Sequence, residues 1–199
     1  MEDLSKFNAL RRFTQALAVA LHERDPYTRY HCDRVINLAT EIGAACQLSE
    51  RDLAILSVSA SFHDVGKIGI PDHVLLKPGK LDADEWEIMK THSERGERIL
   101  RATLLPHAKP VADIIRHHHE HFDGGGYPDG LAGQEIPLLS RILAMADSYD
   151  AMATARAYHH ARCHDEIVAI LQSEVNTKFD PFVFECFAQA IRNSLSRAK

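Results

Sequence analysis

The 199-residue chain has no basic excess: 23 Lys plus Arg stand against 28 Asp plus Glu, a net charge of −5. A long nucleic acid is therefore not an expected partner, because few cations are available to displace its counterions. A small phosphorylated ligand held by a few placed cations stays open. No apolar run approaches the ~18 residues of a membrane span, and no signal peptide opens the chain, so a cytoplasmic protein away from the membrane is expected. Cysteine is scarce and scattered. Cys32, Cys46, Cys163 and Cys186 form no Cys-x-x-Cys pair and read as reduced thiols. Internal repeats, low-complexity tracts, interdomain linkers and alternating strand patterns are all missing. Histidine, by contrast, is abundant. Its 13 copies equal those of glutamate, which is ordinarily among the commonest residues.

Helical periodicity fills most of the chain and predicts one all-α domain of about seven to eight helices. Phe7, Leu10, Thr14, Leu17 and Leu21 mark an N-terminal amphipathic helix within residues 1–22, ahead of a main unit over 23–199. Their heptad spacing fits either packing on the chain's own domain or a short homodimer seam. A second helix runs from about Thr28 to Cys46, and a third from about Glu50 into His63-Asp64, stopping near Gly66. Asp82 and Glu85 have capping-box spacing and start a fourth. Others fit residues 107–121, 139–154 and 164–174, and the last opens at Asp180-Pro181. Two Gly/Pro-rich stretches, 66–81 and 122–137, interrupt the pattern; their Ile, Leu, Tyr and Phe content argues for order.

Several histidines fall on the apolar stripes. His31 lies in line with Val35, Leu38 and Ile42, and His92 shares a face with Ile88 and Ile99. His118 lies within the stripe of Val111, Ile114 and Ile115, His119 on its flank, and His117 points away. Asp147 follows Leu143 by one turn, and His63-Asp64 ends an apolar helix. Any one of these could be a satisfied core histidine. Five together with two inward carboxylates are too many to bury unpartnered, at several kcal/mol each. A metal centre satisfies them jointly. Imidazole and carboxylate without cysteine suit Fe, Mn, Zn or Ni, and seven ligands suit two ions sharing a bridging Asp. His22, His73, His107 and His164 read as surface or loop residues, while His117 and His121 flank the cluster. Asp123-Gly-Gly-Gly-Tyr-Pro-Asp-Gly lacks the alternating carboxylates of a calcium loop and follows no strand.

His63-Asp64-Val65-Gly66-Lys67 resembles the signature of the HD phosphohydrolase superfamily. Asp123-Gly124-Gly125-Gly126-Tyr127-Pro128, after His118-His119-Glu120, resembles that of its HD-GYP subgroup. Ile70-Pro71, Lys77 to Leu81, Glu85-Trp86, Arg141-Ile142 and Ala146-Asp147 fit the same pattern, over roughly residues 20–187. The resemblance implies an all-α, metal-dependent phosphodiesterase that cleaves cyclic di-GMP to linear pGpG, a product that members of the family often carry on to GMP. His31, His63, Asp64 and Asp147 would hold one divalent ion and His92, His118 and His119 a second, with Asp64 bridging. Lys67 would contact the scissile phosphate, and Asp123, Gly126, Tyr127, Pro128, Arg156 and His159 the rest of the substrate. Asp64 and Lys67 are thus the candidate catalytic residues. Tyr27 stands where members with a third ion carry Glu, so two ions are expected. Arg156-Ala157-Tyr158-His159 departs from the family's Arg-Pro-Tyr followed by Arg or Lys. Other implied possibilities are a 3′3′-cyclic GMP-AMP phosphodiesterase and a non-catalytic module binding diguanylate cyclases or adaptors. Loss of a ligand or of Lys67 would favour the module, and neither is lost.

Overall fold

The computed structural model describes residues 5–24, 28–154 and 162–198. These residues form ten α-helices: α1 (Ser5–Arg24), α2 (Thr28–Ala45), α3 (Glu50–Phe62), α4 (Asp72–Leu75), α5 (Ala83–Lys90), α6 (His92–Ala102), α7 (Ala108–Arg116), α8 (Leu138–Ala153), α9 (His164–Ser173) and α10 (Pro181–Ala190). Among them no strand forms beyond an isolated bridge between Val175 and Phe179. No described helix is long and apolar enough to cross a membrane.

The centre of the fold is α2. Val35, Leu38, Ala39 and Ile42 are completely or almost completely buried, and the helix packs against α3, α8 and α10. Burying each large aliphatic side chain contributes about 1.5–3 kcal/mol. The same stripe carries His31 inward, whose burial must be offset by partners. In α1, Leu10 and Leu21 are buried and Leu17 packs against the core, so this stripe faces its own domain. Several ends are capped as the sequence predicts. Asp82 and Glu85 make a reciprocal capping box at α5, and the Asp180 carboxylate accepts from the Phe182 N–H at α10.

Two expectations need correction. The single helix predicted from Asp82 through His92 is two, α5 and α6, meeting at Thr91. Three consecutive side chains reach back to main-chain carbonyls there. Thr91 Oγ1 donates to Ile88 O (2.7 Å), His92 Nδ1 to Met89 O (2.8 Å) and Ser93 Oγ to Lys90 O (3.1 Å). Such bonds offer the backbone an alternative to the helical ladder, and the chain turns. His92 consequently opens α6 instead of sharing one helical face with Ile88. The helix predicted over 107–121 ends at Arg116, leaving His118 and His119 in the turn beyond it.

The Gly/Pro-rich stretches are structured. Residues 66–81 contain most of a 3-10 turn, Val65–Gly69, and the single helical turn α4. Gly66 is obligatory there: a Cβ on it would lie 1.8 Å from His92 O. Its bare backbone lets the turn after His63-Asp64 nest against α6, which brings two histidine-bearing segments together.

Candidate metal centre

Five segments converge on one interior point. His31 comes from α2, His63 and Asp64 from the turn after α3, and His92 from the start of α6. His118 and His119 follow α7, and Asp147 lies on α8. His31, His63, Asp64, His92 and His118 are almost completely buried. Ring centroids are 5.4 Å apart for His31–His63, His63–His118 and His92–His118, 4.9 Å for His92–His119 and 3.9 Å for His118–His119. Donor atoms of His31, His63 and Asp147 lie within 4.8 Å of one another, as do those of His92, His118 and His119. Asp64 stands between the two trios. Its Oδ2 is 3.6 Å from His63 Nε2 and its Oδ1 is 3.8 Å from His92 Nε2.

The ring orientations are fixed from behind. His63 Nδ1 faces Ala60 O at 2.8 Å, His92 Nδ1 faces Met89 O at 2.8 Å and His118 Nδ1 faces Ile115 O at 2.6 Å. A carbonyl only accepts, so each Nδ1 carries the proton and each Nε2 turns its lone pair inward. His63 Nε2 and His118 Nε2 are buried and make no hydrogen bond. A buried acceptor left so costs about 1–3 kcal/mol. Two such nitrogens, aimed into a cluster of imidazoles and carboxylates, are the chemistry a divalent transition metal satisfies, and the residues fit that group.

Electrostatics separates the two trios. Burial is the largest influence on His92 and His118, lowering their pKa values to about 4 and about 3; His119 is lowered well below the ordinary value for the same reason. These three rings are neutral near pH 7, the form in which imidazole binds metal. Burial also opposes charge on His31, but hydrogen bonds to Asp147 and Asp150 outweigh it and raise its pKa to about 10. Asp64 is held well below the carboxylate range despite burial, chiefly by Lys67 and then His63 and His92. Asp147 is likewise held low by His31, His63 and His119.

Lys67 Nζ is 2.8 Å from Asp64 Oδ2, one turn along the 3-10 segment. The Tyr127 ring stacks on His119, with centroids 4.9 Å apart and planes at 27°. Tyr127 joins Pro128 through a cis peptide. Asp123 is exposed and its carboxylate folds back to accept the Gly125 N–H at 2.8 Å. Gly126 packs against its own chain: a Cβ there would come within 2.2 Å of His121 N. The missing side chain thus accommodates the backbone of the preceding turn. His117 stays outside the cluster, its Nε2 bonded to Asp129 Oδ2 at 2.8 Å. Tyr27, Arg156 and His159 lie outside the described residues.

Three residues gain a role only in the structure. Asp150 Oδ2 meets His31 Nδ1 at 2.7 Å, and Arg34 holds Asp150 with Nε 2.6 Å from Oδ1 and Nη2 3.0 Å from Oδ2. The spacing of Asp150, one turn after Asp147, could have revealed it. Glu120 is buried and accepts the backbone N–H groups of Asp129 (2.7 Å) and Leu131 (3.2 Å), closing the loop that presents Tyr127.

The HD domain family matches residues 14–183 of the chain. The cyclic di-GMP phosphodiesterase response regulator RpfG of Xanthomonas campestris is 42% identical over 165 residues, covering 83% of this chain and 44% of that protein. The 3′3′-cGAMP-specific phosphodiesterase 3 of Vibrio cholerae is 38% identical over 173 residues, covering 87% of this chain and 36% of that protein. The chain therefore spans less than half the length of these relatives. The crystal structure of a cyclic GMP-AMP-specific phosphodiesterase of V. cholerae shares the fold, with a TM-score of 0.63 at 22% identity over 83% of this chain and 44% of that one.

Proposed function

This chain belongs to the HD domain family, and from that premise we propose that it is a metal-dependent phosphodiesterase that hydrolyses cyclic di-GMP to linear pGpG. The observation that carries this reading is the pair of donor trios with Asp64 between them. His31, His63, Asp64 and Asp147 would hold one divalent ion and His92, His118 and His119 a second, with Asp64 facing both. Such ions supply activation of water near neutral pH and neutralisation of charge on the phosphate.

The chain's own groups do the rest. The backbone carbonyls behind His63, His92 and His118 fix Nδ1 as the donor of each ring and so aim Nε2 inward, and Asp150 orients His31. Lys67, held by Asp64, carries a positive charge to a non-bridging oxygen of the scissile phosphate, where negative charge develops. Tyr127 closes the site beside His119 and limits water access from that side. Arg156 and His159 are assigned to the second phosphate, which the metal-side groups cannot neutralise, and Arg156 suits it through its planar fork.

A second substrate, 3′3′-cyclic GMP-AMP, is favoured by the relative specific for it. Metal analysis combined with chromatography of products from both cyclic dinucleotides tests the reading. Two ions per chain and pGpG formed from cyclic di-GMP are expected. A metal-loaded protein that binds either ligand without cleaving it would make this an interaction module instead.

A further inference from the structure

The outer wall of the site contains a feature that metal binding does not use. Trp86, the chain's one tryptophan, sits on α5, a two-turn helix with no buried residue. Nearly half of the Trp86 side chain surface is open, at 47% exposure. A large aromatic ring left in water on a peripheral helix invites a functional explanation.

Its surroundings supply one. The Trp86 ring meets Tyr127 edge to face at a centroid distance of 6.2 Å and an interplanar angle of 85°. Tyr127 in turn stacks on His119, a member of the imidazole trio. Aromatic rings thus run from the candidate metal centre to the surface, and the outermost is the exposed one. Lys90, one turn beyond Trp86 on α5, places its ammonium 5.8 Å from the Tyr127 centroid, so Tyr127 is already occupied on several sides. Trp86 is the ring that retains an open surface.

We propose that Trp86 is a stacking platform for one nucleobase of the substrate, which places the specificity of this site for cyclic dinucleotides partly on α5. The inference rests on the phosphodiesterase reading above. A phosphodiester bound between Lys67 and the trios projects its bases away from the metal centre, and the ring series leads one of them to Trp86. Stacking on an aromatic face accepts any purine, so Trp86 selects for a base over no base and contributes little to guanine over adenine.

The single tryptophan makes the test direct. Intrinsic fluorescence of the metal-loaded chain should be quenched, saturably, by a cleavage-resistant bisphosphorothioate analogue of cyclic di-GMP. Inorganic phosphate, which has no base, should not quench it. Trp86→Ala should raise KM for cyclic di-GMP about tenfold, the scale of one lost base stack, and lower kcat far less. Trp86→Phe should restore most of the affinity. Were Trp86 only a prop for the Tyr127 loop, Trp86→Ala would lower kcat and melting temperature together, and the analogue would leave the fluorescence unchanged. That result overturns the platform. Quenching by the analogue without turnover of cyclic di-GMP would keep the platform and sink the hydrolase reading.

Discussion

The two halves of the histidine cluster differ at one ring, His31, which a distant side chain orients, whereas His63, His92 and His118 are held by the main chain. His92 and His118 are held by main-chain carbonyls three residues back, Met89 and Ile115. His31 is held by Asp150, 119 residues away in sequence, and Asp150 is held by Arg34. The imidazole half therefore depends on local backbone geometry that no side-chain substitution removes. The carboxylate half shares that geometry at His63 but depends, at His31, on a tertiary contact that one substitution can break. Their protonation follows suit: the first half excludes protons and the second attracts one.

Asp64→Ala tests the halves together and has the largest expected effect. Its two oxygens face His63 and His92, one toward each half. Removing them should abolish turnover and lower the content of both ions, as read by elemental analysis. His118→Ala should empty the imidazole half while the other retains its ion. Full metal content in Asp64→Ala would break the assignment of Asp64 as the shared ligand.

Asp150→Asn is the selective probe. Carboxylates behind metal-binding histidines typically account for 10–100-fold in metal affinity or activity, and an effect of that size is expected in the half containing His31. The affinity of the His92–His118–His119 half should stay within a few-fold of the parent. Equal loss in both halves, measured by metal titration, would show that Asp150 supports the fold as a whole.

The same contrast explains what could be read from the sequence. All-α architecture, the capped starts of α5 and α10, and the inward faces of His31 and Asp147 follow from periodicity and cap chemistry, which are local. Helical register places His118 inward, although it lies past the end of α7. His118 lies only two residues past Arg116, and the chain at the intervening His117 (φ −104°, ψ 11°) still follows the helical direction closely enough for the face to survive the loss of the helix. The break at Thr91 was hidden because Lys-Thr-His-Ser can continue a helix. Only the side-chain bonds to Ile88, Met89 and Lys90 carbonyls turn the chain. Arg34 and Glu120 act on partners distant in sequence or in a loop, where no periodicity points, and for Asp150 the helical spacing from Asp147 gives the face but not the partner.

The smallest expected effect is on the stability of the metal-free protein as pH changes, and here the halves oppose each other. His92 and His118, at about 4 and about 3, bind protons less readily folded than unfolded, where histidine titrates near 6.5. The unfolded chain takes up more protons as pH falls below about 6.5 toward 4, so stability declines in that window. His31, at about 10, behaves inversely. Its contribution is complete below about 6.5 and is lost as pH rises toward 10. The chelated protein should therefore melt highest near pH 6.5 and lower on both sides, with about 2–4 °C for each kcal/mol. Metal reverses the alkaline side, because a bound ion displaces the His31 proton and its affinity rises as protons are withdrawn. The loaded protein should thus reach its highest melting temperature at a pH above that of the chelated one. A maximum that metal leaves in place would mean that His31 keeps its proton and lies outside the ligand set.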